Sequence, residues 1–226
     1  MLNHTIPPDA EAALYFLPGQ FLFETFGETK RGLKALSSEQ VTRAFHDLRT
    51  DTGWLDRRVL RYREATDGNA ILSYLPAKIR TITVRFSNRT EELTIPMPTL
   101  ILLGKGKEYY LWTTPASNPG RNTPLAVAPL PNIGSQMNGK ICFGQNEVPE
   151  AHPSSIESVW QLIFEAPFSD HSVNDKCVSD PKDVRSLLCR LDREKAKKFP
   201  VEELRVSTTT IEDAWEIVVE ERHSRY

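Results

Sequence analysis

A cysteine between Ile141 and Phe143, with Gly144 behind it, stands where the backbone has to bend. The run reads Pro129-Leu130-Pro131-Asn132-Ile133-Gly134-Ser135-Gln136-Met137-Asn138-Gly139-Lys140-Ile141-Cys142-Phe143-Gly144. Proline fixes φ and glycine frees it, so this is a structured loop, entered from a short apolar strand at Leu125 to Ala128. Backbone amides can approach a sulfur held in such a loop, and the thiolate is the reactive form. The opposing reading is a small hydrophobe buried beside Ile141 and Phe143, because free cysteine is among the most buried residue types. The other two thiols offer less chemistry. Cys189 lies on or beside an apolar face with Leu187 and Leu188, which is a structural position. Cys177, between Lys176 and Val178 in a polar loop, is expected to be a surface thiol.

Other site chemistries find little support. Cys142, His152, His171, Cys177 and Cys189 form no C-x-x-C or H-x-x-x-H pair, so no metal site is expected. Gly104-Lys105-Gly106-Lys107 sits between two strands with no helix after it, which suits a hairpin and not a phosphate cradle. No cofactor is expected, and any ATP chemistry falls to a partner. A cysteine hydrolase would need a histidine fixed beside the thiol and a third group to orient it. Only His152 and His171 are near in sequence, and no hydrolase signature surrounds Cys142.

Whole-chain properties narrow the class. With 226 residues the chain is long enough for a sizeable core, and its net charge of −2 gives no pull toward nucleic acid or an anionic membrane. There is no run of about 18 apolar residues, and Met1-Leu2-Asn3-His4-Thr5 does not read as a secretory signal. Three cysteines without framework spacing fit a reducing cytoplasm.

The elements that must position Cys142 divide into a β-rich first half and a helical second half. After a loose lead-in over residues 1–10, Leu14 to Leu17 and Phe21 to Phe23 flank Pro18-Gly19 as strand, turn and strand. Ser37-x-x-Gln40 is a capping box, and Val41, Ala44, Phe45 and Leu48 predict an amphipathic helix over 38–50 packed on a sheet. Strands follow at Val59–Tyr62, Ala70–Tyr74, Ile79–Phe86, Leu93–Pro96, Thr99–Leu103 and Tyr109–Thr113, with a hairpin signal at Asp67-Gly68-Asn69. In the second half Ser154-x-x-Glu157 opens a helix with the stripe Ile156, Val159, Trp160, Ile163 and Phe164. Asp180-Pro181 opens another with Val184, Leu187, Leu188 and Leu191. Thr209-x-x-Glu212 opens the last, and Lys195 to Lys198 is a solvated basic helix end. The expected class is α+β, an antiparallel β-meander flanked by helices.

At the loop a resemblance enters. Pro131-Asn132 followed by Gly139-Lys140-Ile141-Cys142, with an amphipathic helix beyond, resembles the active-site signature of ubiquitin-conjugating enzymes. The wider stretch, from Leu125 through the Gly-x-Ile-Cys core to Phe164-Glu165-Ala166-Pro167-Phe168-Ser169, is more similar to the bacterial group known as prokaryotic family D, which takes in the PRTRC system B proteins. Leu130 stands where the eukaryotic enzymes have histidine, and the gap from Asn132 to Cys142 is slightly longer than theirs. The resemblance covers about residues 96–175. It implies one elaborated domain over 1–226 with the ubiquitin-conjugating-enzyme fold: a β-rich part with one helix over 1–95, then the core, then C-terminal helices over 176–226.

The resemblance also implies roles. Cys142 would accept a ubiquitin-like protein as a thioester from an adenylating enzyme that uses the ATP, and would pass it to an amine or other acceptor. Asn132 would either donate its amide to the oxyanion or brace the loop. Asp170 and His171 hold the place of the residues that assist the attacking amine. The alternative is a non-catalytic scaffold that binds the ubiquitin-like protein within a larger complex.

Overall fold

The computed structural model describes residues 9–26, 31–46, 54–65, 67–135 and 137–220. They group into two compact units, Met1–Trp54 and Leu55–Tyr226, each taken by itself.

In the first unit, β1 (Ala12–Leu17), β2 (Gln20–Phe26) and β3 (Arg31–Leu36) form an antiparallel sheet in that order. Gly19, at φ +80, makes the turn between the first two, and the directly opposed Phe16 and Phe21 meet edge to face at 5.4 Å. Helix α1 (Ser38–His46) opens with the expected capping box: Gln40 N donates to Ser37 Oγ, and Ser37 N donates to the Gln40 side chain. Residues 47–50 of the expected helix, and most of the lead-in, lie outside the described residues. Strand β3 carries no strand signal in the sequence, because Arg31-Gly32-Leu33-Lys34-Ala35-Leu36 has no β-branched residue; pairing with β2 makes it a strand.

The second unit is built on a six-stranded antiparallel sheet. Its strands are β4 (Val59–Arg63), β5 (Ala70–Leu75), β8 (Thr99–Lys105), β9 (Glu108–Thr114), β10 (Pro124–Val127) and β11 (Val206–Thr210). They lie in the order β11-β10-β9-β8-β5-β4. The expected meander is interrupted, because β6 (Lys78–Arg85) and β7 (Thr90–Met97) pair with each other and, among the described residues, with no other strand, which lets β5 pair directly with β8. The sheet is covered on both faces, which accounts for the unbroken apolar run of β8. Leu100 and Leu102 face one core and Ile101 and Leu103 the other, and all four are fully buried. Each such burial contributes on the order of 1.5–3 kcal/mol.

Helices α2 (Ile156–Glu165) and α3 (Val184–Arg193) and the β6–β7 hairpin cover one face, with Ile156, Val159, Trp160 and Ile163 on α2 and Val184, Leu187, Leu188 and Leu191 on α3 buried as the spacing predicts. Helix α4 (Ile211–Val219) covers the other through Ile211, Ala214, Trp215 and Val219. Among the described residues the fold is thus α+β, mostly antiparallel, with four helices. No described helix is long and apolar enough to cross a membrane.

Three helix starts differ from expectation. The Ser154–Glu157 box does not close: Glu157 takes Arg58 at 2.6 Å, Ser154 Oγ meets His152 Nδ1 at 2.7 Å, and Ser155 is the N-cap. Helix α3 begins after Asp183, which accepts from Arg185 N, and not at Asp180. Helix α4 is capped by Thr210 with a reciprocal box to Asp213, one residue beyond the expected pair, because Val206–Thr210 is drawn into the sheet as β11.

Candidate active site

Leaving β10, the chain sends Leu130 wholly into the core, where it fills space. Asn132 follows with φ +61, a left-handed conformation that asparagine tolerates better than most residues. Five hydrogen bonds hold it. Its N–H donates to the His171 carbonyl (2.7 Å) and its own carbonyl accepts from Cys142 N–H (2.8 Å). Its side-chain oxygen accepts from both the N–H and the hydroxyl of Ser169 (3.2 and 2.7 Å), and its amide nitrogen donates to the Pro167 carbonyl at 3.3 Å. Residues 167–169 are themselves fixed on β6: Phe168 N–H donates to Thr83, and Arg85 N–H to Phe168.

From Asn132 the loop folds back on itself. Ile133 bridges Ile141, and Gly134 N–H donates to the Lys140 carbonyl at 2.7 Å. The returning segment then extends the edge of β9, with Leu111 N–H on the Gly139 carbonyl and Ile141 N–H on the Tyr109 carbonyl. Gly139 is required here. Its φ is +63, and a Cβ would lie 2.6 Å from the Trp112 ring. Along 141–143 the side chains alternate in burial. Ile141 is in the core, Phe143 packs against it with an edge-to-face contact to Tyr109, and Cys142 points out and is exposed. The buried-hydrophobe reading of Cys142 is therefore set aside.

Cys142 lines an open cleft of about 250 Å³, together with Asn132, Ser169, His171, Arg85 and the end of α2 at Leu162. The cleft brings together three of the four residues singled out from sequence. The fourth, Asp170, is exposed beside it and does not line it. His152 is elsewhere, edge-on to the Tyr62 ring. Ser169, Arg85 and Lys176 carry no chemical signal in the sequence; only their packing brings them to the loop. Among the described residues no three metal-ligating side chains come together.

Of the two remaining thiols, Cys177 departs from its expected place at the surface, and Cys189 packs against the core from beside the apolar face. Cys177 is fully buried, its Sγ on the Asp180 carbonyl at 3.3 Å, and burial pushes its pKa up. Cys189 is only partly covered, with its pKa also raised by burial. The polar sequence around Cys177 gives the wrong expectation because Lys176 and Cys177 turn inward while Asn174, Val178 and Ser179 stay exposed. Its neighbour Lys176 is buried too, donating to the carbonyls of Ile133 and of Gly134 (2.8 Å), and burial lowers its pKa to about 8.

An antiparallel α+β unit that presents one exposed thiol from a braced Asn-to-Cys loop is the class these features define. Compared with known families, residues 32–207 match Prokaryotic E2 family D, and the chain belongs to that family. The match is wider than the 96–175 read from the loop and reaches from β3 to β11. No curated protein and no solved structure matches the chain.

Proposed function

We propose that this protein has the ubiquitin-conjugating-enzyme fold and carries a ubiquitin-like protein as a thioester on Cys142. The observation that supports this most directly is the exposed Cys142 thiol on a segment whose two neighbours are anchored in the core, at the rim of an open cleft. The Cys142 thiolate attacks the carbonyl of a thioester held by an adenylating enzyme, which has already spent the ATP. The tetrahedral adduct collapses, and the partner's thiolate leaves. Exchange between thiols of similar pKa is close to neutral in free energy, so holding the two sulfurs together is the main requirement.

In the second step an acceptor amine attacks the Cys142 thioester, gives a proton to His171 in the cleft wall, and releases the Cys142 thiolate. Asp170, the adjacent residue, is exposed beside the cleft, open to the incoming amine. Asn132 acts as a brace in this reading, since its side chain already holds the Pro167–Ser169 wall. We assign the reaction to the cytoplasm, where the free thiols of Cys142, Cys177 and Cys189 stay reduced.

The test mixes the protein with its adenylating partner, ATP and the ubiquitin-like protein. The expected product is an adduct removed by thiol reductant or hydroxylamine, absent in Cys142→Ala and converted to a stable oxyester in Cys142→Ser. Binding of the ubiquitin-like protein without any adduct would replace this reading by the non-catalytic scaffold.

A further inference from the structure

Lys176 is fully buried, yet no carboxylate pairs with it among the described residues. A buried ammonium without a counter-charge is costly unless every donor finds an acceptor. Its acceptors here are the carbonyls of Ile133 and Gly134, and no backbone N–H of the described residues takes either one. An apolar side chain at 176 would leave the buried Ile133 carbonyl and the part-buried Gly134 carbonyl without a donor among the described residues. These two residues directly follow Asn132. On their other side the same short stretch is tied to the Cys142 segment, Asn132 O to Cys142 N–H and Gly134 N–H to Lys140 O. Residues 132–134 are thus gripped from two sides, by the cysteine-bearing segment in front and by one lysine behind.

We infer that Lys176 is a positioning residue for Cys142: its buried amine holds the Ile133 and Gly134 carbonyls and so fixes the loop that presents the thiol. The inference rests on the reading of Cys142 as the reacting group. Lys176 touches nothing that reacts; it acts through the backbone of 132–134. The sequence offers no hint of this, because a lysine between Asp175 and Cys177 in a polar stretch reads as solvated.

Amide hydrogen exchange in the full chain tests it without any partner. In the unaltered protein the Gly134 and Cys142 amides should be protected to within about tenfold of a sheet amide such as Leu102. In Lys176→Met those two amides should exchange about a hundredfold faster while Leu102 is unchanged, and Lys176→Gln, which keeps N–H donors, should recover at least about tenfold of the loss. Thioester loading should slow by about tenfold or more in Lys176→Met and recover in Lys176→Gln. Unchanged Gly134 and Cys142 amides, or a loss spread equally over the sheet, overturns the inference. So does a loop that exchanges about a thousandfold faster than the sheet before any substitution, an outcome readable even if neither variant folds. If the unaltered protein forms no adduct at all, the conjugation reading fails while the exchange result still reports on the clamp.

Discussion

The backbone N–H of Cys142 donates to the carbonyl of Asn132 at 2.8 Å, across a loop whose two strands are bridged at Ile133 and Ile141. The thiol and the asparagine are therefore mechanically one unit. What moves Asn132 moves Cys142, and this coupling shapes what substitutions at either end should do.

Asn132 is best probed with two substitutions. Asn132→Ala loses the bonds to Pro167 and Ser169 and forces alanine into φ +61, so it should cost about 2–4 kcal/mol in denaturant unfolding. Asn132→Gly loses the same bonds without the strain and should be about 1–2 kcal/mol more stable than the alanine variant. A brace predicts that loading and transfer both fall, more in alanine than in glycine. If the two variants load normally and are equally slow only in transfer, the side chain serves the oxyanion instead.

The thiols should label in a fixed order. Cys142 is exposed, Cys189 partly covered and Cys177 buried, and the pKa of each of the last two is raised by burial. Mass spectrometry after brief alkylation of the native protein should find Cys142 modified first, Cys189 next and Cys177 only on unfolding. Early modification of Cys177 would mean the segment beneath the loop is open.

Gly139→Ala should be damaging despite its small size. The added methyl meets the Trp112 ring at 2.6 Å, at a φ that alanine disfavours, so a loss of about 2–3 kcal/mol is expected from denaturant midpoints. Since Gly139 O holds Leu111 N–H and starts the segment that ends at Cys142, loading should fall as well.

Lys176 predicts a pH dependence with a definite sign. Its folded pKa is lowered from 10.5 to about 8. Between those values the unfolded chain binds more protons, so this lysine makes stability rise with pH across that window and contributes no slope below about pH 8. The thiols of Cys177 and Cys189, with raised pKa values, act in the opposite sense at alkaline pH. The difference between the unaltered protein and Lys176→Met isolates the lysine. Unfolding free energies measured from pH 7 to 10 should show the unaltered protein gaining on the variant above pH 8. A parallel pair of curves would place the amine in contact with water.

How far the chain could be read in advance follows from the range of each interaction. Periodicity is local, so the stripes of α2 and α3, the strands from β4 to β10 and the bend around Cys142 are legible in the sequence. The sequence leaves Cys142 open between an exposed loop thiol and a hydrophobe buried beside Ile141 and Phe143, and the structure decides for exposure. Whatever depends on a distant partner was decided only by the tertiary structure. Arg58 draws Glu157 out of its capping box from 99 residues away, and Ser169 meets Asn132 across 37. Pairing with β2 turns Arg31–Leu36 into a strand, while the β6–β7 hairpin leaves the sheet so that β5 meets β8. Cys177 and Lys176 are the sharpest cases. Polar neighbours predict exposure for a whole segment, yet here Asn174, Val178 and Ser179 stay exposed while Lys176 and Cys177 turn inward, where the carbonyls of Ile133 and Gly134 have no other donor among the described residues and a lysine amine fills that need.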